Sequence, residues 1–104
     1  VWEGTTPVGP CLAVTEPGTP AHFPISCAVD GDVRQSSNTD QLVFDPVALV
    51  QYISTIITLA PGDLIATGTP GGVGHARTPP LFLERGQTVV TTIEGVGELR
   101  NVCA

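Results

Sequence analysis

The sequence predicts a β-rich α+β domain with one main helix. Three observations point there. Short apolar stretches alternate with turn residues along much of the chain. A single stretch, residues 45–59, carries helical spacing. Twelve glycines and ten prolines among 104 residues place long loops between the elements. With 41% hydrophobic residues, the chain reads as one folded domain with one core rather than as a disordered segment.

The elements follow in order. Residues 1–10 are turn-rich, and 11–15 are expected as a short strand. Residues 16–24 hold three prolines and read as a surface loop. In "ISCAVDGDVRQ" apolar residues alternate around Asp30-Gly31, a pair suited to a two-residue hairpin turn that needs positive φ at both positions. Strands are expected near 24–29 and 32–36. After the polar "SSNT", Asp45 suits a helix N-cap and Pro46 the first helical position, where its missing N–H costs nothing. Leu49, Val50, Ile53, Ile56 and Ile57 form one apolar helix face. "APGD" ends the helix, and 63–67 is expected as a strand feeding a glycine loop. A second proline-containing loop covers 75–87. The chain then closes as strand, turn at 94–97, and strand. There is no internal repeat and no low-complexity segment.

Charge excludes some functions. Four arginines and no lysine against ten acidic residues give a net charge of −6. Nucleic-acid binding needs a basic stripe, and an anionic membrane surface needs the same. No apolar run reaches membrane-spanning length. Methionine is absent, so Val1 is not a natural start and a piece of a longer or processed protein is expected. Cys11, Cys27 and Cys103 contain no C-x-x-C pair, which leaves a zinc ribbon or thioredoxin site without support. They read as buried, reduced thiols of a cytoplasmic protein, with a disulfide or a nucleophile as alternatives.

The stretch "DLIATGTPGGVG" (63–74) raises the functional question. A Walker loop needs a lysine, and a dinucleotide fingerprint needs G-x-G-x-x-G opening a helix; neither is present. A plain turn is one reading. The other is an anion site. Two hydroxyls and several backbone N–H groups stand where no side chain crowds a carboxylate or an enolate oxygen.

"PVGPCLAV", "VDGDVRQSSNT", "LVQYISTIITLAPGDLIATGTPGGVG" and "PPLFLERGQTV…IEGVGELRN" resemble consecutive blocks in the C-terminal half of the fumarylacetoacetate hydrolase family. The likeness runs from about Thr6 to Val102. It implies a mixed β-roll, usually dimeric, and a divalent metal, Mg²⁺ or Mn²⁺. It also implies a small oxo-acid substrate: β-diketo acids, acylpyruvates, oxaloacetate or 2-hydroxy-dienoates. The reactions implied are C–C hydrolysis, decarboxylation and tautomerisation. All of them build an enolate, which a chelated metal stabilises as a Lewis acid.

The family's metal ligands, a Glu-x-Glu pair and an Asp, have no match here. Glu94 and Glu98 straddle a turn, and Asp30 and Asp32 read as a solvated hairpin. The ligands and the family's active-site lysine are therefore expected upstream of Val1, and residues 1–104 as the C-terminal part of a catalytic domain, inactive alone. By the resemblance, Thr69 grips a substrate carboxylate or oxo oxygen, while Gly68 and Thr67 shape the loop. Gln35, Asn38 and Thr39 match the family's "Q..NT" block. They are either site residues or makers of turn and cap hydrogen bonds. Thr5 and Thr6 are candidates for the metal's water shell. Arg77 pairs a carboxylate or serves structure. His22 and His75 read as surface-loop residues, and Trp2 and Tyr52 as packing. Gly86-Gln87 departs from the family's usual Gly-Asp at a turn, with little expected effect on chemistry.

The reading is thus a fragment of a hydrolase or isomerase of the fumarylacetoacetate hydrolase or 2-hydroxyhepta-2,4-diene-1,7-dioate isomerase type. Acylpyruvate hydrolase and oxaloacetate decarboxylase are close alternatives. The rival from another class is a non-catalytic β-rich binding or dimerisation module.

Overall fold

The computed structural model describes residues 4–16, 18–19 and 22–104. Four strands form one antiparallel sheet in the order β2-β1-β3-β4. They are β1 (Pro24–Val29), β2 (Asp32–Asn38), β3 (Thr88–Ile93) and β4 (Gly97–Val102). One helix, α1 (Pro46–Ser54), lies between β2 and β3 in the chain, and 3₁₀ turns occupy Thr39–Gln41 and Gly74–Ala76. This is the β-rich α+β architecture with one helix that the sequence predicts.

The β1–β2 hairpin forms as its turn chemistry demands. Asp30 and Gly31 take φ of 50° and 86°, the doubly positive turn that matches strand twist. Asp30 Oδ1 also accepts from Thr88 N at 2.8 Å, and Asp30 N donates to Thr88 O at 2.9 Å, so the turn fastens to the start of β3. The ladder is not regular. Cys27 faces Gln35, but Ala28 faces Val33, so Arg34 is an extra residue that bulges β2. β2 runs to Asn38, two residues beyond the expectation.

The helix begins where the sequence places it. Asp45 Oδ1 caps Ala48 N at 2.7 Å, and Pro46 opens the first turn. It ends at Ser54, earlier than its apolar spacing suggests. The Ser54 and Thr55 hydroxyls bond the carbonyls of Gln51 and Tyr52 at 2.9 and 2.7 Å. Ile56 N turns back to Ile53 O, tightening the last turn. Consecutive β-branched Thr55, Ile56 and Ile57 add to the helix's reluctance to continue.

Two expected strands are absent. Residues 11–15 and 63–67 join no ladder among the described residues. β propensity alone leaves the backbone groups of a lone segment unpaired, and no described strand pairs with either one.

Val29, 5% exposed, is the one fully buried hydrophobic among the described residues. The accessible surface is 8223 Å², where a compact chain of this mass exposes about 5500 Å². The radius of gyration is 15.3 Å, against about 13 Å for a compact chain of this length. The excess lies on named residues. Of the predicted helix face, Val50, Ile56 and Ile57 are exposed while Leu49 and Ile53 are half-buried, and Tyr52 is exposed rather than packed. Cys11 is exposed too, with Cys27 and Cys103 half-buried, and all three thiols are free. Trp2 lies outside the described residues.

Candidate functional site

The site is built on a loop that has no ladder of its own. Residues 67–74 follow the unpaired 63–67 segment and settle against β2. Three contacts hold them there. Gln35 donates one amide, Nε2, to both Pro70 O at 2.8 Å and Thr69 Oγ1 at 3.2 Å. Arg77 donates from Nε to Gly72 O at 3.0 Å and from a terminal nitrogen to Arg34 O at 2.7 Å. Gly72, at φ +103°, passes so close to the bulge that any Cβ would strike the Arg34 carbonyl. Gly74 makes a similar approach to Leu81, whose N–H donates to Gly74 O at 3.0 Å.

The bulge explains the docking. The extra residue frees the Arg34 carbonyl from the ladder and points it at Arg77. Arg34 itself pairs with Asp32 at 2.9 Å, although its N–H is not aimed at the carboxylate and its Nε is buried without a hydrogen bond.

Thr69 is exposed and stands between two cavities. The larger, about 670 Å³, holds Gln35 and Thr69 beside a wall of Val29, Val89, Leu81 and Phe82. The smaller, about 180 Å³, is lined by the 67–70 segment with Asn38, Thr39 and Leu42. Because Gln35 donates into Thr69 Oγ1, the hydroxyl proton is turned away from the amide. It is available to an acceptor in the cavity.

The other residues singled out in the sequence fall as follows. Thr67 and Gly68 line the smaller cavity, with Gly68 at φ +136°. Thr39 Oγ1 accepts from Phe23 N at 2.9 Å, and Asn38 Oδ1 caps Asp40 N at 3.1 Å. Thr6 is exposed and lines neither cavity. His75 lines the larger cavity. His22 Nδ1 lies 2.7 Å from Asp40 Oδ2. The Asp40 carboxyl is held below its ordinary value, first by the amide of Gln41 at 2.8 Å, which outweighs the opposing desolvation, and then by His22. Sequence reasoning allowed Arg77 a structural role but missed its clamp, with Gly72, on the bulge and the approach of Gly74 to Leu81. The glycine spacing was its one visible trace, because a bulge leaves no motif.

A divalent metal does not fit these residues alone. Among the described residues no three His, Cys, Asp or Glu side chains converge, and neither cavity wall carries a carboxylate. Mg²⁺ and Mn²⁺ want such oxygen ligands.

A four-stranded antiparallel sheet with one helix thus presents a Thr-Gly-Thr loop against a bulged strand. The chain belongs to the fumarylacetoacetate hydrolase family: the family's model "Fumarylacetoacetate (FAA) hydrolase C-terminal" matches residues 2–104. The chain is 45% identical over 96 residues to the mitochondrial oxaloacetate tautomerase Fahd2a of Rattus norvegicus, covering 91% of this chain and 31% of that protein. Two solved structures are similar. One is fumarylpyruvate hydrolase from Pseudomonas aeruginosa in complex with Mn²⁺ and pyruvate, with 42% identity and a TM-score of 0.73, covering 84% of this chain and 34% of that one. The other is 2-hydroxyhepta-2,4-diene-1,7-dioate isomerase from Mycobacterium marinum, with 42% identity and a TM-score of 0.73, covering 88% and 33%. The chain thus spans about a third of the length of the relatives it matches. Hydrolases, isomerases and tautomerases are all among them.

Proposed function

We propose that this chain is the C-terminal part of a metal-dependent enzyme that draws an enolate from a 2-oxo or 2-hydroxy-dienoic acid. In this reading it supplies the wall that grips the acid. Thr69 donates its hydroxyl proton to a substrate carboxylate or oxo oxygen, Gln35 orients that hydroxyl, and Gly68 lets the substrate approach the backbone. The divalent metal, Mg²⁺ or Mn²⁺, is held by carboxylates that precede this chain in the complete protein.

The observation that carries the reading is the Thr69 hydroxyl, fixed by the Gln35 amide and lining both cavities. Family membership supports it, as does the bound pyruvate, a 2-oxo acid, of the Pseudomonas relative. Tautomerisation and hydrolysis share the need to hold an oxygen on which negative charge grows, and a preorganised donor favours that charge over the ground state.

The test uses the complete protein with Mn²⁺. Oxaloacetate tautomerisation and acylpyruvate cleavage are followed with and without a chelator. Turnover of at least one substrate, lost on chelation, is expected. Thr69→Ala should lower kcat/KM by about 100-fold, the scale of losing one donor to a developing oxyanion. A protein that folds, binds Mn²⁺ and turns over neither substrate would leave the chain as a non-catalytic module.

A further inference from the structure

The bulge at Arg34 decides which face of the sheet Gln35 occupies. Val33 pairs with Ala28, and Gln35 pairs with Cys27. Directly paired residues of an antiparallel sheet point to the same side. Cys27 and Ala28 are neighbours on β1, so they point to opposite sides. Val33 and Gln35 therefore stand on opposite faces, although residues two apart share a face in a regular strand. Without the extra residue the ladder would set Arg34 against Cys27 and Gln35 against Ser26. A one-residue slip of this kind turns every following side chain over. The cavities lie on the Cys27 face. Cys27, Val29 and Gln35 line the larger one, and Ile25 and Ser37 line the smaller. Gln35 meets Thr69 only because the bulge puts it on that face.

One side chain holds the bulge from outside the sheet. Arg77 donates from a terminal nitrogen to Arg34 O at 2.7 Å and from Nε to Gly72 O at 3.0 Å. Arg34 directly precedes Gln35, and Gly72 closely follows Thr69 and Pro70. A single guanidinium thus ties together the two segments that place Gln35 Nε2 at 3.2 Å from Thr69 Oγ1 and 2.8 Å from Pro70 O. Its planar fork serves both carbonyls at once, which an ammonium does not reproduce. We propose that Arg77 is a positioning residue for the reaction. By holding the Arg34 carbonyl it keeps the bulge in place, and the bulge keeps Gln35 on the face where it orients the Thr69 hydroxyl. Arg77 acts through Gln35 and Thr69 rather than by touching the acid. This inference rests on the acid-gripping role of Thr69 proposed above.

The test is a double-mutant cycle in the complete protein with Mn²⁺, read as oxalate affinity by calorimetry. Arg77→Lys keeps the charge and is milder than truncation. It should weaken oxalate about fivefold, within the range of coupling between residues of one hydrogen-bond network. In a Thr69→Ala background the same change should alter affinity by less than about twofold, because the hydroxyl it positions is gone. If Arg77→Lys does not fold, Arg77→Gln, which keeps one donor, takes its place. The second readout is the side-chain amide of Gln35 by NMR of the metal-free protein. Arg77→Lys should move both amide protons toward solvent-exposed values and speed their exchange. Asp45→Ala, which weakens the helix cap alone, should leave them in place. Unchanged oxalate affinity in Arg77→Lys overturns the proposal and leaves the acid-gripping role standing. So does a loss that persists undiminished in the Thr69→Ala background, which would put Arg77 on the acid itself. Gln35 amide signals unmoved by Arg77→Lys also overturn it. If Thr69→Ala alone binds oxalate as tightly as the wild type, the acid-gripping role falls and this inference with it.

Discussion

The sheet and the site loop are held together in different ways. The four strands share a backbone ladder in which each residue contributes a little and few are irreplaceable. The loop at 67–74 has no ladder. It is fixed by Gln35, Arg77 and two glycine approaches to β2 and Leu81. Side-chain identity should therefore matter far more in the loop than in the sheet. The scaffold is redundant, and the surface proposed to meet substrate depends on a few contacts.

The sharpest way to break this contrast is Gly72→Ala. The new Cβ meets the Arg34 carbonyl, and φ of +103° is hostile to any L side chain. A loss of about 2–5 kcal/mol is expected in urea unfolding of the complete protein, with the loop displaced. Gly71→Ala, one residue away with open space around it, should change stability by under about 0.5 kcal/mol. Arg77→Ala comes next. It removes two bonds from a cation to half-buried carbonyls, and a loss of about 3 kcal/mol is expected from the same unfolding curves. Arg77→Lys should recover less than half, since an ammonium cannot reproduce the guanidinium fork.

Away from the loop the effects shrink. Asp45→Ala removes the helix N-cap bond and should cost about 1 kcal/mol by urea unfolding, with no change in substrate affinity. The smallest effect concerns Asp40. Its carboxyl is depressed by Gln41 and His22, so its folded-state value lies below its unfolded one. The stabilisation is present above the unfolded value and disappears as pH falls through the folded one. Melting temperatures of the wild type and Asp40→Asn should differ by a small constant above about pH 5 and converge only well below the ordinary carboxylate value of 3.8.

The parts legible in the sequence are those where local chemistry decides. Asp30-Gly31 sets the hairpin, Asp45-Pro46 starts the helix, and the turn between Ile93 and Gly97 falls where its glycines place it. Tertiary decisions were less legible. Residues 63–67 have strand composition, yet a strand needs a neighbour, and no described strand pairs with them. The helix stops at Ser54 because hydroxyls compete for its carbonyls, which apolar spacing does not report. Within the site, Thr69 stands out through its glycine context. The Arg34 bulge and the Arg77 clamp do not, because both depend on which residues of β1 and β2 face each other.

The most direct measurement is the affinity of oxalate, an enolate mimic, for the complete protein with Mn²⁺, compared among wild type, Thr69→Ser and Thr69→Ala. If the Thr69 hydroxyl grips the acid, Thr69→Ser keeps affinity within about threefold and Thr69→Ala weakens it by about tenfold or more, the scale of a hydrogen bond to a charged group. If Thr69→Ala binds oxalate as tightly as the wild type, the loop does not hold the acid, and the site lies elsewhere on the protein.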